Sequence, residues 1–574
     1  MKTPVWKISP APDSEFVKKF SEQLNNLPLP IATILIQRGI DTFEKAKRYF
    51  RPNLSNLYDP FLMKDMERAV DRLVEAIKNN EKILIYGDYD VDGTTAVTLV
   101  YDFLKRYYAN LEFYIPDRYL EGYGLSYRGI DYAHENDFSL IITLDCGIKA
   151  VEKVLYAMDK GIDIIICDHH QPGEHLPPAY AILNPKQKDC GYPFKELTGC
   201  GVGYKFMQAF AQRNHIHTGE LNEYIDLLAV SIAADIVPIE DENRILTYFG
   251  LKKINENPLP GIKAILNVAG FNRNEVTVSD IVFVIAPRIN AAGRIKDARN
   301  AVNTLLAKNP DQADLHASII NELNINRREF DETATKEAIA ILESNDAYKS
   351  KKTTVVFKQD WHKGVVGIVA SRLIEYYYRP TVVLTASDDN LISGSARSVP
   401  GFDLYNAIAQ CGDLLEQFGG HKYAAGLTLK QENLDKFIEK FEWIVSQTIR
   451  EEHMTPYLEI DTEISLDDIT GKFLRILKQM APFGPGNMRP VFLARNLRAG
   501  KYVSIVGQNH LKFNIPKNKD NQTQSIPAIA FGFGEYYRPI SEGSTFDAVF
   551  TLEENHFNGR TTYQMKIKDL RIHS

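Results

Sequence analysis

The stretch KILIYGDYDVDGTTAVTLV, Lys82 to Val100, decides the fold. An apolar run from Lys82 to Tyr86 stops at Gly87, and from Gly93 onward the apolar residues recur at helical spacing, which predicts strand, turn, helix. Asp88, Asp90 and Asp92 stand in the turn. In an extended or turning backbone, side chains two apart point to the same side, so these three carboxylates can converge on one volume. Carboxylates crowded in this way share protons, pair with cations or hold metal, and the loop after a parallel strand is where α/β proteins place ligands. A calcium EF-hand loop is excluded, because its twelfth position needs a bidentate Glu and counting from Asp88 reaches Leu99. A solvated acidic turn is the plain alternative, and partners elsewhere in the chain decide between the two.

Those partners lie at the ends of the neighbouring apolar runs. From about Met66 to Val237 helical and apolar segments alternate (LVEAIK, KILIYGD, TAVTLVYDFLKRYY, LEFYIPD, SLIITLD, VEKVLYAMDKG, DIIICDHH), the pattern of a doubly wound parallel sheet. SLIITLD ends at Asp145, DIIIC runs into Asp168, His169 and His170, and Asp235 follows the apolar segment LLAVSIAA. Taken singly, Asp145 reads as a helix cap, His169 as a core histidine and Asp235 as a loop residue. Together they provide at least five oxygen or imidazole ligands on one sheet edge, a set suited to two hard or borderline divalent ions such as Mn²⁺ or Mg²⁺. No thiolates cluster with them, which disfavours zinc.

Length and composition bound the rest. A chain of 574 residues predicts about three or four domains. Ordinary globular composition, 44% hydrophobic and 25% charged, gives no case for disorder. The formal charge of -7 excludes a histone-like binder and requires that any nucleic-acid contact come from a local patch. Cys146, Cys167, Cys190, Cys200 and Cys411 form no C-x-x-C pair and read as reduced intracellular thiols. The opening MKTPVWKISP has no apolar signal core, and no run approaches the roughly 20 apolar residues of a membrane span, so a cytoplasmic protein with no membrane contact is expected. There is no G-x-x-x-x-G-K-[ST] loop, so energy-coupled unwinding is not expected of this chain.

The segments YGDYDVDGTTA, YIPDRYLEGYGL, TLDCGI, ICDHH and AADIVP resemble the successive motifs of the DHH phosphoesterase superfamily. Downstream, APRINAAGR (Ala286 to Arg294), WHKGVVGIVASRL (Trp361 to Leu373), SGSARS (Ser393 to Ser398) and FGGHKYAAGLTL (Phe418 to Leu429) resemble the RecJ family of single-strand-specific exonucleases and its DHHA1 domain. The resemblance covers nearly the whole chain from Lys82. It implies two α/β lobes, a parallel-sheet DHH domain at 71–308 and a DHHA1 domain at 347–450, joined by a long helix at 309–346. Asn309 reads as the N-cap of that helix and Pro310 as its first residue. A helical lead-in at 1–70 carries no recognisable chemistry. Short alternating runs at 455–574 predict a small β-barrel, by resemblance an OB-fold that binds single strands through exposed aromatics and Lys or Arg.

For the site, the resemblance implies that Asp145 bridges two ions, that Asp90 and Asp88 serve the first, and that Asp92, His169 and Asp235 serve the second. Asp168 orients an imidazole and His170 faces the scissile phosphate, so Asp145, Asp168 and His170 form the catalytic set. Arg118, Arg288, Asn290, Arg294, Ser395, Arg397 and His421 are the expected substrate contacts, with Ser395 and Arg397 at the 5′ end. One departure separates the chain from the pyrophosphatase members: four positions before Asp90, where they carry a ligand histidine, stands Tyr86.

The implied activity is degradation of single-stranded DNA from the 5′ end to mononucleotides in recombination and repair. Single-strand-binding protein and a RecQ-type helicase are the expected partners of a monomer. Two alternatives stay open: a DHH phosphodiesterase acting on oligoribonucleotides or cyclic dinucleotides, against which the added barrel counts, and a non-catalytic strand-binding scaffold, which predicts eroded carboxylates where this chain keeps them.

Overall fold

The computed structural model describes residues 3–387, 390–517, 525–557 and 560–573. The chain forms two compact units, one holding residues 58–235 and 249–456 with the first few residues, the other residues 6–57, 236–248 and 457–574.

The first unit begins with the predicted sheet. Strand Lys82–Gly87 lies between Leu111–Tyr114 and Phe138–Leu144, followed outward by Asp163–Cys167 and Ala181–Leu183, all parallel. Ile83, Leu84 and Ile85 are wholly buried, as a parallel strand covered on both faces requires. Leu84, Tyr86, Ile141 and Ile164 pack under Ile130, Ala133, Val154 and Ala157 of helices Tyr127–Glu135 and Val151–Asp159. Helices Val91–Lys105 and Gly199–Arg213, themselves in contact, flank the same sheet. Because every strand points the same way, all their carboxyl ends share one edge.

Helix Pro310–Glu343 then leads to the second lobe, with Asn309 accepting from the Gln312 amide at its start as the sequence predicts. Its Ala334, Ala338 and Leu342 share a core with Val356, Trp361 and Val369. The second sheet is mixed: Thr354–Phe357 pairs parallel with Thr381–Ala386, and Leu391–Arg397, Ala424–Lys430 and Gln417–His421 continue antiparallel.

The other unit departs from the expected division of the chain. Helices Ser14–Gln23, Leu29–Gln37 and Phe43–Phe50 do not stand apart as a lead-in. Their Phe20, Ile31, Ile34 and Leu35 share one core with Phe473, Phe492, Phe513 and Phe550 near the other end of the chain. Helices of 8 to 10 residues cannot bury an apolar face alone, and the strand-rich C-terminal segment offers the surface they need. Among the described residues that segment contributes a sheet of seven strands, whose longest pair, Phe546–Phe557 and Arg560–Ile572, is antiparallel. Arg244 completes the unit: its guanidinium lies 3.8 Å over the Tyr49 ring and donates to the carbonyls of Tyr49, Met480 and Ala481. With the Tyr49 hydroxyl and Asn487, which also donate to the Met480 carbonyl, it serves the carbonyls past the end of helix Gly471–Gln479. Among the described residues no helix is long and apolar enough to cross a membrane.

Candidate metal centre

Each predicted carboxylate arrives on the shared sheet edge by a different device. Asp90 caps helix Val91–Lys105, accepting from the Gly93 amide at 3.0 Å. Gly93 has to be glycine, since a Cβ there would lie 2.4 Å from the Asp88 carbonyl oxygen. Asp145 follows strand Phe138–Leu144 with φ of +60°, a left-handed conformation uncommon outside glycine and frequent at functional sites. Strand Asp163–Cys167 delivers Asp168, His169 and His170, and Asp235 caps the C-terminal end of helix Ile225–Ala234.

Three overlapping groups result, each with one potential ligand atom per residue within 4.8 Å of the others: Asp88, Asp90 and Asp145; Asp92, His169 and Asp235; and Asp145, His169 and His170. The motif carboxylates do not converge on one volume as the two-residue spacing suggested. Asp88 and Asp90 turn to one group and Asp92 to another, because the helix begins between them; Asp145 belongs to the first group and to the one with His170, and His169 links that one to Asp92. His169 Nε2 sits 3.2 Å from Asp145 Oδ1, 3.6 Å from Asp235 Oδ2 and 3.7 Å from Asp92 Oδ2. No hydrogen bond links them: Asp88 Oδ2, Asp145 Oδ1 and both ring nitrogens of His169 are buried with no hydrogen-bond partner among the described residues.

Buried polar atoms without partners are costly, and partnerless atoms of Asp88, Asp145 and His169 within overlapping groups of carboxylates and imidazoles suit a cation. Burial and neighbouring carboxylate charge push the Asp88 and Asp145 carboxyls well above the ordinary range. The same two causes raise Asp90, and bring Asp235 up to about 8. Burial lowers the pKa of His169. A divalent cation would answer both the crowding of negative charge and the missing partners. The donor set of carboxylate oxygens with one or two imidazoles suits Mn²⁺ or Mg²⁺.

Asp168 is engaged by the protein's own groups. It accepts the amides of Ile148, His169 and His170 and lies 2.8 Å from His170 Nδ1. Burial alone would raise its carboxyl, but the interaction with His170 and these amides hold it at about 2. Burial likewise opposes protonation of His170, and the adjacent Asp168 carboxylate outweighs it and raises the imidazole pKa. The other ring nitrogen of His170 is 3.2 Å from the Tyr123 hydroxyl, which also reaches the Asp145 carbonyl. Tyr86 is buried, with its hydroxyl donating to the Gly124 carbonyl.

The predicted arginines gather as well. Arg118 lies 4.9 Å over the Tyr89 ring, Arg397 donates to Ser395 Oγ and the Ala396 carbonyl, and Arg294 donates to the Gly364 carbonyl. Burial, then the charges of Arg118, Arg327 and Arg397, depress Arg294 to about 10. None of Arg118, Arg288, Arg294 and Arg397 has an ion pair with a carboxylate among the described residues; Arg288 instead donates to Asn321 and the Val284 carbonyl. Guanidinium groups drawn together without carboxylates form a place for an anion. Asn290 is half-buried one helical turn before Arg294 on helix Ala286–Ile295. His421 ends the second-lobe edge strand, one strand away from Arg397, and feels the charges of Lys149 and His170.

Sequence reasoning missed Tyr123 and Arg327. Tyr123 stood inside the quoted GYGL segment, but nothing in its spacing shows a hydroxyl reaching His170. Arg327, on the connecting helix, reads as one of many helical arginines until the fold brings it beside Arg294.

The comparisons with known proteins agree with this geometry. Family models match the chain at residues 82–232 (DHH family, N-terminal domain), 350–447 (DHHA1 domain) and 460–569 (RecJ OB domain). The single-stranded-DNA-specific exonuclease RecJ of Bacillus subtilis is 38% identical, over 99% of this chain and 71% of its own length. The chain belongs to the RecJ family. The RecJ of Escherichia coli is 31% identical over 95% of this chain and 96% of its own. Among solved structures, RecJ of Thermus thermophilus in complex with Mn²⁺ superposes with a TM-score of 0.84 at 26% identity, covering 99% of this chain and 79% of that one. A second RecJ exonuclease bound to manganese gives 0.60 at 29% identity, over 69% of this chain and 97% of that one. The RecJ assignment accounts for the order of the three domains as well as for the carboxylate edge.

Proposed function

We propose that this chain is a single-stranded-DNA-specific exonuclease that removes mononucleotides from the 5′ end by metal-dependent phosphodiester hydrolysis. The observation that carries the reading is the carboxylate and histidine cluster with its partnerless buried atoms, facing arginines that lack carboxylate partners within the same unit. The relatives' single-strand-specific exonuclease activity supports it. Asp88, Asp90 and Asp145 would hold one Mn²⁺ or Mg²⁺, and Asp92, His169, Asp235 and Asp145 a second. When bound, such ions supply a water acidified to near neutral pH and neutralise charge building on the phosphoryl oxygens.

The protein's own groups do the rest. Arg118, Arg294 and Arg397, with Ser395, hold phosphate oxygens of the 5′ end, while Arg288, Asn290 and His421 steady the strand. Asp168 keeps a proton on His170 Nδ1 and favours the charged imidazole, leaving Nε2 to donate to the departing oxygen. Single-strand-binding protein and a RecQ-type helicase as partners, a monomeric state and a cytoplasmic location follow from the family resemblance.

The test uses one oligodeoxynucleotide labelled separately at each end, incubated with Mn²⁺ beside a duplex control. The 5′ label should appear at once as a mononucleotide while the 3′ label persists in shortening strands and the duplex is inert. Survival of the long strand with consumption of dinucleotides or cyclic dinucleotides would overturn the substrate assignment.

In the C-terminal sheet, Phe531 is about half exposed beside His510 and pairs with it across adjacent strands, with Lys566 5.9 Å from its ring. A ring flanked by basic groups suits base stacking, worth about 1–3 kcal/mol per base. Phe531→Ala should therefore weaken binding of a long single strand by about 5- to 150-fold while cleavage of a very short one changes little; fluorescence anisotropy in EDTA checks the first.

Protonation offers a further check. Carboxyls whose folded pKa is raised contribute stability that is present below about pH 4 and lost as pH rises through the folded value, here about 8 for Asp235. The melting temperature in EDTA should accordingly decline across that window, and Mn²⁺ should flatten the slope.

A further inference from the structure

Asp92 is held differently from the other carboxylates of the centre. Its Oδ2 accepts the Gly199 amide at 2.6 Å, and its Oδ1 accepts both the Cys200 amide and Ser231 Oγ at 2.8 Å. Ser231 Oγ lies a further 2.6 Å from Thr198 Oγ1, which itself accepts the Gly201 amide at the start of helix Gly199–Arg213. Asp92, Thr198 and Ser231 are all buried to within 1%.

Proton counting orders this chain. Ser231 has one hydroxyl proton and Thr198 one. The Asp92 carboxylate can only accept, so the consistent arrangement runs Thr198 Oγ1–H to Ser231 Oγ, and Ser231 Oγ–H to Asp92 Oδ1. A carboxylate offers about four lone-pair sites, two on each oxygen. The Cys200 amide and Ser231 fill both on Oδ1, and the Gly199 amide fills one on Oδ2. One site is left, on the oxygen that lies 3.7 Å from His169 Nε2.

We propose that Thr198 and Ser231 are positioning residues that confine Asp92 to a single metal-facing oxygen, Oδ2, aimed at the space shared with His169 and Asp235. The inference rests on the two-cation reading above. It assigns Ser231, on helix Ile225–Ala234, a part in the centre that no motif spacing shows. The same helix carries Asp235 at its end, so one element sets two ligands of the same group, one directly and one through a hydroxyl.

Removing a group that orients a metal ligand typically costs about 10- to 100-fold in metal affinity. Calorimetric Mn²⁺ titration of the full chain is the test, on wild type, Ser231→Ala, Thr198→Val and the conservative Thr198→Ser, with circular dichroism to establish folding. Wild type and Thr198→Ser should bind alike. Ser231→Ala should weaken one of two sites by about 10- to 100-fold, Thr198→Val should weaken the same site less, and excess Mn²⁺ should restore much of the lost cleavage. Folded Ser231→Ala with two wild-type affinities overturns the inference and leaves the metal centre standing. Failure of wild type to bind Mn²⁺ overturns both. Should Ser231→Ala not fold, folded Thr198→Val with wild-type affinities overturns it equally.

Discussion

Asp145→Ala is expected to abolish cleavage, by more than about a hundredfold, while single-strand affinity in EDTA stays close to wild type. Losing a group that merely orients a ligand costs about 10- to 100-fold. Asp145 belongs to two of the three ligand groups directly, so its loss should exceed that range. Strand binding is retained because the arginines proposed to hold phosphate are on other elements. A nuclease assay in Mn²⁺ and an anisotropy titration of the same preparation decide the matter; unchanged cleavage would mean a strand-binding scaffold whose carboxylates do no chemistry. The isosteric Asp145→Asn adds a second readout. Burial, then the charges of Asp92, Asp90, Asp235 and Asp88, oppose ionisation of Asp145 in metal-free protein. Removing that charge should therefore raise the metal-free melting temperature even as activity disappears, the trade expected where stability has been given up for a site.

Gly199→Ala is expected to be nearly as damaging, although Gly199 has no side chain to do chemistry with. A Cβ there would lie 2.5 Å from Asp145 Cβ and 2.7 Å from Asp145 Cα, atoms that no rotamer change can move away. The Gly199 amide also donates to Asp92 Oδ2. Relief of the clash must shift either the start of the helix, whose Gly199 and Cys200 amides hold Asp92, or the strained backbone at Asp145, which carries a carboxylate of the cluster itself. Overpacking of this kind costs about 1–3 kcal/mol of stability. A displacement of about 1 Å at the reacting centre costs about a hundredfold in rate. Gly201→Ala is the control on the same helix turn, where a Cβ meets Leu197 and Thr198 side chains no closer than 3.4 Å. Melting curves and rates for the pair should separate, with Gly201→Ala near wild type; equal behaviour would show that the helix start tolerates movement and that the packing argument is wrong.

The sequence by itself determined the parallel sheet, the edge along which Asp88, Asp90, Asp145, His169 and Asp235 gather, and the long helix that Asn309 and Pro310 begin. These are legible because hydrophobic period and caps are local, and because parallel strands put all their carboxyl ends on one edge whatever the rest of the chain does. Motif resemblance extended that reading to Arg118, Arg288 and Arg294 and to Arg397 on the second lobe. Only the tertiary structure decided how the ligands divide. The start of the helix at Val91 parts Asp92 from Asp88 and Asp90, and Asp145, in a left-handed turn, lies with Asp88 and Asp90 and also with His169 and His170. It also decided which neighbours support them: Ser231 beside Asp92, Tyr123 beside His170 and Arg327 beside Arg294. Nor did anything local tie the first fifty residues to a sheet more than four hundred residues later. An apolar face on a short helix states that it must be buried, but the partner that buries it is chosen by packing across the whole chain.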